Sequence, residues 1–260
     1  MEAAGATPGV TIVIPAWNEQ DRLRRTLERY IPSLEGRGDP FEVLVVVDGA
    51  RDRTAEVADA FVDRHVRVLH FPTKLGKGGA ILAGLREARY DYVGYLDADG
   101  PISPEAIYAL VGNLQDVDCV VASRWVQGAS GAEEEPRFNR AAGRAWNFLT
   151  RTILFLPLRD TQCGAKFFRS SVVRMVLKTV TLTNRAFDVS FLYHIRKVGI
   201  PIREVAVHWT HDPDSRMPVG VRAVSIMFIS LLGVRVMNSP LGKRVPTKVI
   251  QWFMTEFSDA

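Results

Sequence analysis

Short hydrophobic runs alternate with helix-like segments over the first half of the chain. The β-rich runs lie at residues 10–15, 41–47, 66–71, 91–96 and 118–123. Such alternation is typical of βαβ crossovers, which build a mostly parallel sheet with helices on both faces. Asp52 and the Ser103-Pro104-Glu105 sequence are start signals for two of the helices. The pattern therefore predicts a doubly wound α/β fold.

The second half of the chain is richer in helical segments. A Gly-, Ala- and Glu-rich stretch at 126–136 has no periodicity, and we predict a mobile surface loop there that is a candidate lid. The segment RDTQCGAKFF follows at 159–168. We expect helices at about 138–155, 186–198, 220–237 and 246–257, and a strand at 202–209.

Length and composition favour a single catalytic unit. The chain has 260 residues, of which 47% are hydrophobic and 24% are charged, and this is enough to bury a full core. We expect a disordered arm at 1–9, a catalytic domain at 10–217 and C-terminal amphipathic helices at 218–260. The arm lacks the features of a signal peptide, and two cysteines are too few for a disulfide framework. We therefore expect a cytoplasmic protein.

The C-terminal region is basic. From Arg216 to Thr255 the chain has basic residues and no acid, which favours an anionic partner. The apolar stretch between Arg222 and Arg235 is too short to span a bilayer. It fits a helix that lies at a membrane interface. A core helix or a dimer helix with a solvated basic edge is the alternative.

Polar residues follow each of the first five predicted strands. Ligands bind at the carboxyl ends of strands in open α/β sheets, so these residues would share one rim. They are Asn18 and Glu19; Asp48 and Gly49; Lys74 and the GKGG sequence at 76–79; Asp97 and Asp99; and Ser123 and Arg124. Each loop alone also fits a helix cap or a turn, but five together predict a ligand site.

Asp97 and Asp99 are the most informative pair at this rim. Strand alternation directs both side chains to one side, where two carboxylates repel each other unless a cation or a proton intervenes. An Mg²⁺ or Mn²⁺ ion shared with a diphosphate resolves this conflict. We therefore predict that Asp97 and Asp99 are metal ligands.

Two common nucleotide-binding motifs are excluded. A dinucleotide-binding fold needs GxGxxG after the first strand, where this chain reads PAWNEQ. A Walker A motif needs a glycine at the position of Phe71 and a serine or threonine at that of Gly78. Lys77 is therefore at most an isolated phosphate contact.

Five motifs stand out along the chain: VIPAWNE, VVVDGARDRT, GKGGAILAGL, LDADG and DTQCGAKFF. Together they resemble those of family 2 glycosyltransferases of GT-A fold, over about residues 10–217. The similarity is greatest to the dolichyl-phosphate glucosyltransferases, and the dolichol-phosphate mannose synthases are more distant. The resemblance implies an inverting transfer in which a metal ion and Lys or Arg contacts stabilise the leaving nucleoside diphosphate.

The resemblance also implies which residues bind the donor. The nucleotide sugar would contact Pro15, Ala16, Asn18, Glu19, Asp48, Gly49, Lys77, Asp97 and Ala98. Pro15 and Glu19 would line the ribose and base, and Asp48 would contact the base. Asp97 would face the ribose and the metal, and Asp99 would ligate the metal.

Three positions depart from the family pattern. Val47 and Ala50 replace the first acid and the serine of the usual DDGS motif, which leaves the base preference open. Pro101 replaces the glutamine that ligates metal in mannose synthases. His208 is our candidate for the missing ligand, with a structural or solvated histidine as the alternative, and His211 is a weaker candidate.

The candidate residues for binding the acceptor are arginines. A lipid phosphate monoester is already a dianion at neutral pH, so it needs cations rather than a general base. The arginines that match phosphate-contacting residues of the resembled family are Arg124, Arg144 and Arg216, and each also fits a surface charge. Asp160 is a candidate catalytic residue near the reaction centre. A turn acid that pairs with Arg159 or Lys166 is the alternative reading of Asp160.

These observations lead to three hypotheses. The first is a metal-dependent transferase that moves glucose or mannose from UDP-glucose or GDP-mannose to dolichyl or another polyprenyl phosphate. The second is a transferase that acts on a glycan or small-molecule hydroxyl, and the third is a non-catalytic module that binds nucleotide sugars. We expect the cytoplasmic face of a membrane, or a second copy of the chain, as partner, and no nucleic acid.

Overall fold

One seven-stranded sheet organises the protein, as seen in a computed structural model. The structure describes residues 8–63, 65–180, 186–210 and 221–240. Most of the arm expected at 1–9 and the helix expected at 246–257 lie outside the described residues, as do His211 and Arg216.

All six predicted strands form, and a seventh joins them. The strands are β1 (Val10–Ala16), β2 (Phe41–Asp48), β3 (Val66–Phe71), β4 (Tyr92–Leu96), β5 (Cys119–Ser123), β6 (Ala165–Arg169) and β7 (Arg203–Ala206). Their order across the sheet is β3-β2-β1-β4-β6-β5-β7. Only β6 runs antiparallel to its neighbours, β4 and β5, and the other pairings are parallel. The sheet is therefore mostly parallel, as predicted.

Helices cover both faces of the sheet. They are α1 (Gln20–Arg37), α2 (Thr54–Asp59), α3 (Lys77–Glu87), α4 (Pro104–Asn113), α5 (Arg137–Leu154), α6 (Ser170–Val176), α7 (Phe187–Lys197) and α8 (Val221–Met237). Residues of β1 alternate between two hydrophobic clusters, with Ile12 in the cluster of α1 and α4 and Val13 in that of α3 and α7. This two-sided burial confirms the doubly wound fold.

The two predicted helix starts differ in their outcome. Ser103 caps α4, because its hydroxyl accepts a hydrogen bond from the backbone N–H of Ala106 at 3.3 Å. Asp52 lies one residue before the cap position of α2 and instead accepts from the backbone N–H of Thr54 at 2.9 Å. Asp52 therefore closes a turn ahead of the helix.

β6 was missing from the sequence-based prediction. The strand spans only five residues, and both of its faces are buried, so its sequence shows no alternation of polar and apolar positions. Phe167 packs in one hydrophobic cluster and Phe168 in the other. The motif DTQCGAKFF therefore runs directly into the middle of the sheet.

The stretch at 126–136 is more ordered than predicted. It contains a short 3₁₀ helix at Ala132–Glu134. Ser130 donates its backbone N–H to Val207 at 3.2 Å, and its carbonyl accepts from the N–H of Trp209 at 2.9 Å. These bonds tie the stretch to the residues that follow β7, and a role as a lid stays a prediction.

None of the helices in the described ranges combines the length and the apolar character that are needed to cross a bilayer. For α8, this agrees with the prediction from the spacing of its arginines.

Candidate active site

The predicted loops meet at one edge of the sheet. Side chains join successive loops there: the Asn18 amide oxygen accepts from the backbone N–H of Arg51 at 2.8 Å. Asp48 accepts from the backbone N–H of Leu75. The structure therefore brings the carboxyl ends of β1, β2 and β3 into one hydrogen-bonded rim, as the sequence indicated.

A cleft of about 520 Å³ opens between the loops that follow β1 and β2. Asn18, Glu19 and Arg51 line it, and Arg22 donates to the Glu19 carboxylate at 2.7 Å. This volume lies within the range of small-molecule pockets, roughly 300–1,000 Å³.

The end of β1 contributes an aromatic side chain that the sequence analysis did not single out. Pro15 is half-buried and Ala16 is buried at the end of the strand. The next residue, Trp17, is exposed, and the Lys74 ammonium lies 3.5 Å from the centre of its ring. In the sequence, the signal available for Trp17 was a tryptophan placed between a hydrophobic run and Glu19.

Asp48 and Gly49 shape the neighbouring loop. Asp48 is buried, and burial raises the pKa of its carboxyl, while hydrogen bonds from the N–H groups of Leu75 and Gly76 act in the opposite direction. Gly49 has φ of +62°, and a Cβ atom there would lie 2.7 Å from the backbone nitrogen of Lys74. Glycine is therefore required at this position for both conformation and space.

Asp97 is held from two directions. Its carboxylate lies 2.7 Å from the ammonium of Lys77, the first residue of α3, and its backbone N–H donates to the carbonyl of Gly164 at 3.1 Å. A Cβ atom on Gly164 would lie only 2.0 Å from Asp97 Oδ2. The glycine of the DTQCG motif thus leaves the space that the Asp97 carboxylate occupies.

The pKa of Lys77 reflects this contact. Burial opposes its charge, but the Asp97 carboxylate outweighs burial, so the pKa lies above its usual value. In the structure the Lys77 ammonium is the counter-ion of Asp97, and its contact with a donor phosphate stays a prediction.

Asp99 carries an unsatisfied oxygen. Among the described residues, its Oδ1 atom is buried and has no hydrogen-bond partner. Burial and the nearby Asp97 raise the pKa of Asp99 to about 7, although Lys77 and Arg22 oppose the shift. A buried carboxylate oxygen without a donor fits a cation, which would supply the missing partner.

The backbone around this pair is fixed by α1. Thr26 donates its hydroxyl to the carbonyl of Ala98 at 2.8 Å. Arg29 donates to the carbonyls of Gly100 and Ile102. The loop after β4 is therefore held in place before any ligand binds.

The structure does not bring His208 to the acid pair. Within the ranges that the structure describes, no three His, Cys, Asp or Glu residues form a group that could hold a metal ion. His208 is exposed, and its Nδ1 atom lies 2.9 Å from the Ser130 hydroxyl. The next residues pair with the loop after the acid pair, at Pro101 and Ile102, and His208 as third metal ligand stays a prediction.

Asp160 is fully buried and accepts five hydrogen bonds. Three come from the backbone N–H, Nε and Nη2 of Arg124, at 3.0, 2.8 and 3.1 Å. The others come from the N–H groups of Gln162 and Cys163, both at 3.1 Å. Asp160 therefore pairs with neither Arg159 nor Lys166. A carboxylate has about four lone-pair sites, so none remains for a general base.

Two arginines of the predicted acceptor site share one tryptophan. The guanidinium of Arg144 lies 4.9 Å from the ring centre of Trp125, and that of Arg124 lies 5.7 Å from it. Burial opposes the charge of Arg124, but Asp160 outweighs burial and raises its pKa above the usual value. The structure thus brings Arg124 and Arg144 together.

A buried charge cluster lies next to the site and was missed by the sequence analysis. Lys166 of β6 lies 2.6 Å from the Asp188 carboxylate and donates to the carbonyl of Cys163 at 2.7 Å. Tyr95 donates its hydroxyl to Asp188 at 2.6 Å. Burial opposes ionisation of Asp188, but Lys166 and Lys77 lower its pKa overall. A lysine inside the apolar run AKFFR was the only signal for this cluster.

Comparison with known proteins shows the family of this chain. The model of Glycosyl transferase family 2 matches residues 11–177. The dolichyl-phosphate beta-glucosyltransferase of Drosophila melanogaster is 31% identical over 224 residues, which cover 80% of this chain and 69% of that protein. The protein of the same name from Homo sapiens is 31% identical over 227 residues, which cover 81% of this chain and 70% of that protein.

Solved structures show the same architecture. Glucosyl-3-phosphoglycerate synthase from Mycobacterium tuberculosis, crystallised with Mn²⁺, UDP and glucosyl-3-phosphoglycerate, matches with a TM-score of 0.66. The match covers 91% of this chain and 82% of that chain at 20% identity. At this identity, the likeness shows a shared fold.

Proposed function

The chain belongs to glycosyltransferase family 2 and has the GT-A fold, and from this premise we propose that it transfers a hexose to a polyprenyl phosphate. Glucose from UDP-glucose is the favoured donor, with GDP-mannose as the alternative, and dolichyl phosphate is the favoured acceptor. The names of the two similar glucosyltransferases support the sugar and the lipid. Family membership argues against the hypothesis of a non-catalytic module.

The acid pair is the proposed metal site. Asp97 and Asp99 would hold an Mg²⁺ or Mn²⁺ ion, and the unpartnered oxygen of Asp99 supports this assignment. Such an ion supplies electrostatic stabilisation for the charge that develops on a leaving diphosphate. Lys77 holds Asp97 in place, and Gly164 leaves room for its carboxylate.

The donor would lie across the loops after β1, β2 and β4. The cleft beside Asn18 and Glu19 fits the nucleoside, and Pro15 and Ala16 end the strand that leads to it. Asp48, Gly49 and Ala98 keep the adjoining loops in position. The resemblance further implied that Asp48, Gly49 and Ala98 contact the donor, and we keep those contacts as part of the proposal.

The pairing of Asp160 with Arg124 is the observation that carries the acceptor proposal. A hydroxyl acceptor needs a carboxylate base, but the lone pairs of Asp160 are already occupied. Arg124 gives two of its five N–H donors to Asp160, and of the other three, the two on Nη1 lie beside the Glu135 carboxylate at an N–O distance of 4.0 Å. With Arg144 beside it, Arg124 can bind a phosphate that needs no deprotonation. This contrast favours a phosphate over a hydroxyl acceptor.

A transfer assay tests the proposal. The full chain is incubated with Mn²⁺, dolichyl phosphate and either radiolabelled UDP-glucose or radiolabelled GDP-mannose, and the label in the organic phase is counted. We expect label from UDP-glucose. A matched reaction contains 3-phosphoglycerate in place of the lipid. Transfer to soluble hydroxyl acceptors alone would overturn the lipid proposal.

The proposed acceptor has a consequence for location. A polyprenyl phosphate resides in a bilayer, so its transferase must reach a membrane surface. We propose the cytoplasmic face, in line with the expectation of a reducing environment.

A further inference from the structure

Helix α8 exposes an apolar stripe. Its exposed large apolar residues are Phe228 (38%), Ile229 (41%), Leu232 (40%) and Val236 (41%), and Ser225 and Arg235 are exposed as well. On the other side of the helix, Ile226, Leu231 and Val234 are buried, and α8 packs against α5 and α7. An apolar helix with one side buried normally presents polar residues on the other side. Here four large apolar residues lie on the outward side, beside Ser225 and Arg235.

Two phenylalanines, one on α5 and one at its end, extend the stripe. Phe148 on α5 is 64% exposed, and Phe155, which ends the helix with φ of +55°, is 67% exposed. The guanidinium of Arg235 on α8 lies 5.1 Å from the ring centre of Phe155, so the two sets adjoin. We call these six residues, Phe148, Phe155, Phe228, Ile229, Leu232 and Val236, the α5–α8 face.

The charges around this face identify its partner. The sequence has no Asp or Glu at 137–159 or at 221–240, whereas Arg151 and Arg235 are exposed beside the apolar residues. A symmetric dimer through this face would bring the same arginines together without counter-ions. Anionic lipid headgroups would instead pair with the arginines while the apolar residues enter the boundary of the acyl chains. We infer that the α5–α8 face docks the enzyme on a bilayer that contains anionic lipids.

The face lies close to the proposed acceptor site. Arg144 precedes Phe148 by one turn of α5, a rise of roughly 6 Å. Docking would therefore place Arg144 near the level of the lipid phosphates. This link to the acceptor rests on the proposed function, but bilayer binding itself can be measured without any transfer.

Vesicle flotation tests the inference with the full chain. The vesicles contain phosphatidylcholine alone or phosphatidylcholine with phosphatidylglycerol. The test variants are Phe148→Glu and Leu232→Glu. Val62→Glu is the matched control, because Val62 is 57% exposed beyond α2 and lies outside the face. Circular dichroism checks that each variant is folded.

The wild type and the control should float with the anionic vesicles, and less so at high salt. Each test variant should partition at least about ten-fold more weakly, because a carboxylate would enter the apolar boundary. Both variants should retain transfer to a short-chain, water-soluble prenyl phosphate. Such a result would separate docking from catalysis.

Three results would overturn the inference. The first is wild-type protein that does not bind anionic vesicles. The second is equal binding by the wild type and both test variants. The third is a wild-type dimer in sedimentation velocity that Leu232→Glu converts to monomers, since that would make a second copy the occupant. If vesicle binding behaves as expected but no prenyl phosphate ever receives sugar, the proposed function fails while the docking face stands.

Discussion

The donor and acceptor sides of the rim are built in different ways. On the donor side, short loops follow parallel strands, and Asp48, Lys77 and Asp97 are fixed by contacts between neighbouring loops. On the acceptor side, Arg124 is held by Asp160, which lies 36 residues further along the chain. Adjacent loops of the sheet therefore supply several of the contacts that fix the proposed donor side, and α1 and Gly164 complete them, whereas the proposed acceptor side depends on a contact between distant segments.

The largest expected effect is on the donor side. Asp99→Asn removes a negative charge from the proposed metal site, and we expect kcat to fall about 10³-fold. The loss should be the same with long-chain and short-chain acceptors, because the defect concerns the leaving group. Asp116→Asn, at an exposed acid, is the control. A variant at Asp99 with wild-type kcat would contradict the metal assignment.

Asp160→Asn should produce an effect specific to the acceptor. The amide would present N–H groups to the Arg124 guanidinium, and we expect kcat/KM for the lipid phosphate to fall about 10²-fold while the donor Kd is unchanged. Stability should also fall, by about 3 kcal/mol, because a buried ion pair is broken.

The pH profile distinguishes this positioning role from a general base. If Asp160 positions Arg124, the variant keeps the shape of the wild-type profile of kcat. Loss of the acidic limb of that profile would instead show that Asp160 acts as a base.

Gly164→Ala links the two sides. The added methyl group would lie 2.0 Å from Asp97 Oδ2, so the carboxylate must move. We expect donor affinity in isothermal calorimetry with Mn²⁺ to fall by roughly ten-fold or more. Gly112→Ala in α4 is the control, because a Cβ atom there meets no atom within 4 Å. Equal donor affinity for both variants would mean that the Asp97 position is not critical.

The smallest expected effect concerns Arg144. Arg144→Ala removes one of two cations beside Trp125, and we expect the KM for the acceptor to rise about ten-fold with little change in donor affinity. Arg174→Ala, at an exposed arginine of α6, is the control. A matching rise in donor KM would show that Arg144 belongs to the donor side.

The difference between the two sides also explains which site residues could be predicted from the sequence. Donor-side residues such as Asp48 and Asp97 directly follow β-rich runs, so strand order alone places them at one rim. β6 could not be recognised, because a short strand that is buried on both faces has no alternation. The partner of Asp160 also depends on how distant segments cross, which no local pattern encodes.

Two further results depend on tertiary packing. The ion pair between Lys166 and Asp188 forms because α7 packs over β6, so the sequence alone could not predict it. His208 was predicted at the metal because its strand appeared to run to residue 209, but β7 ends at Ala206 and the next residues pair with the loop at Ser130. Local spacing could not anticipate that contact.

The antiparallel position of β6 has a consequence for how this enzyme could be altered. Residues 124–164 leave the sheet after β5 and return to it on the adjacent strand, so Arg124, Arg144 and Asp160 all belong to one excursion between two hydrogen-bonded neighbours. Replacing residues 124–163 with the equivalent piece of a relative would leave the seven strands in place, together with Gly164 beside Asp97. We therefore expect that the preference for the proposed acceptor can be exchanged without rebuilding the proposed donor pocket.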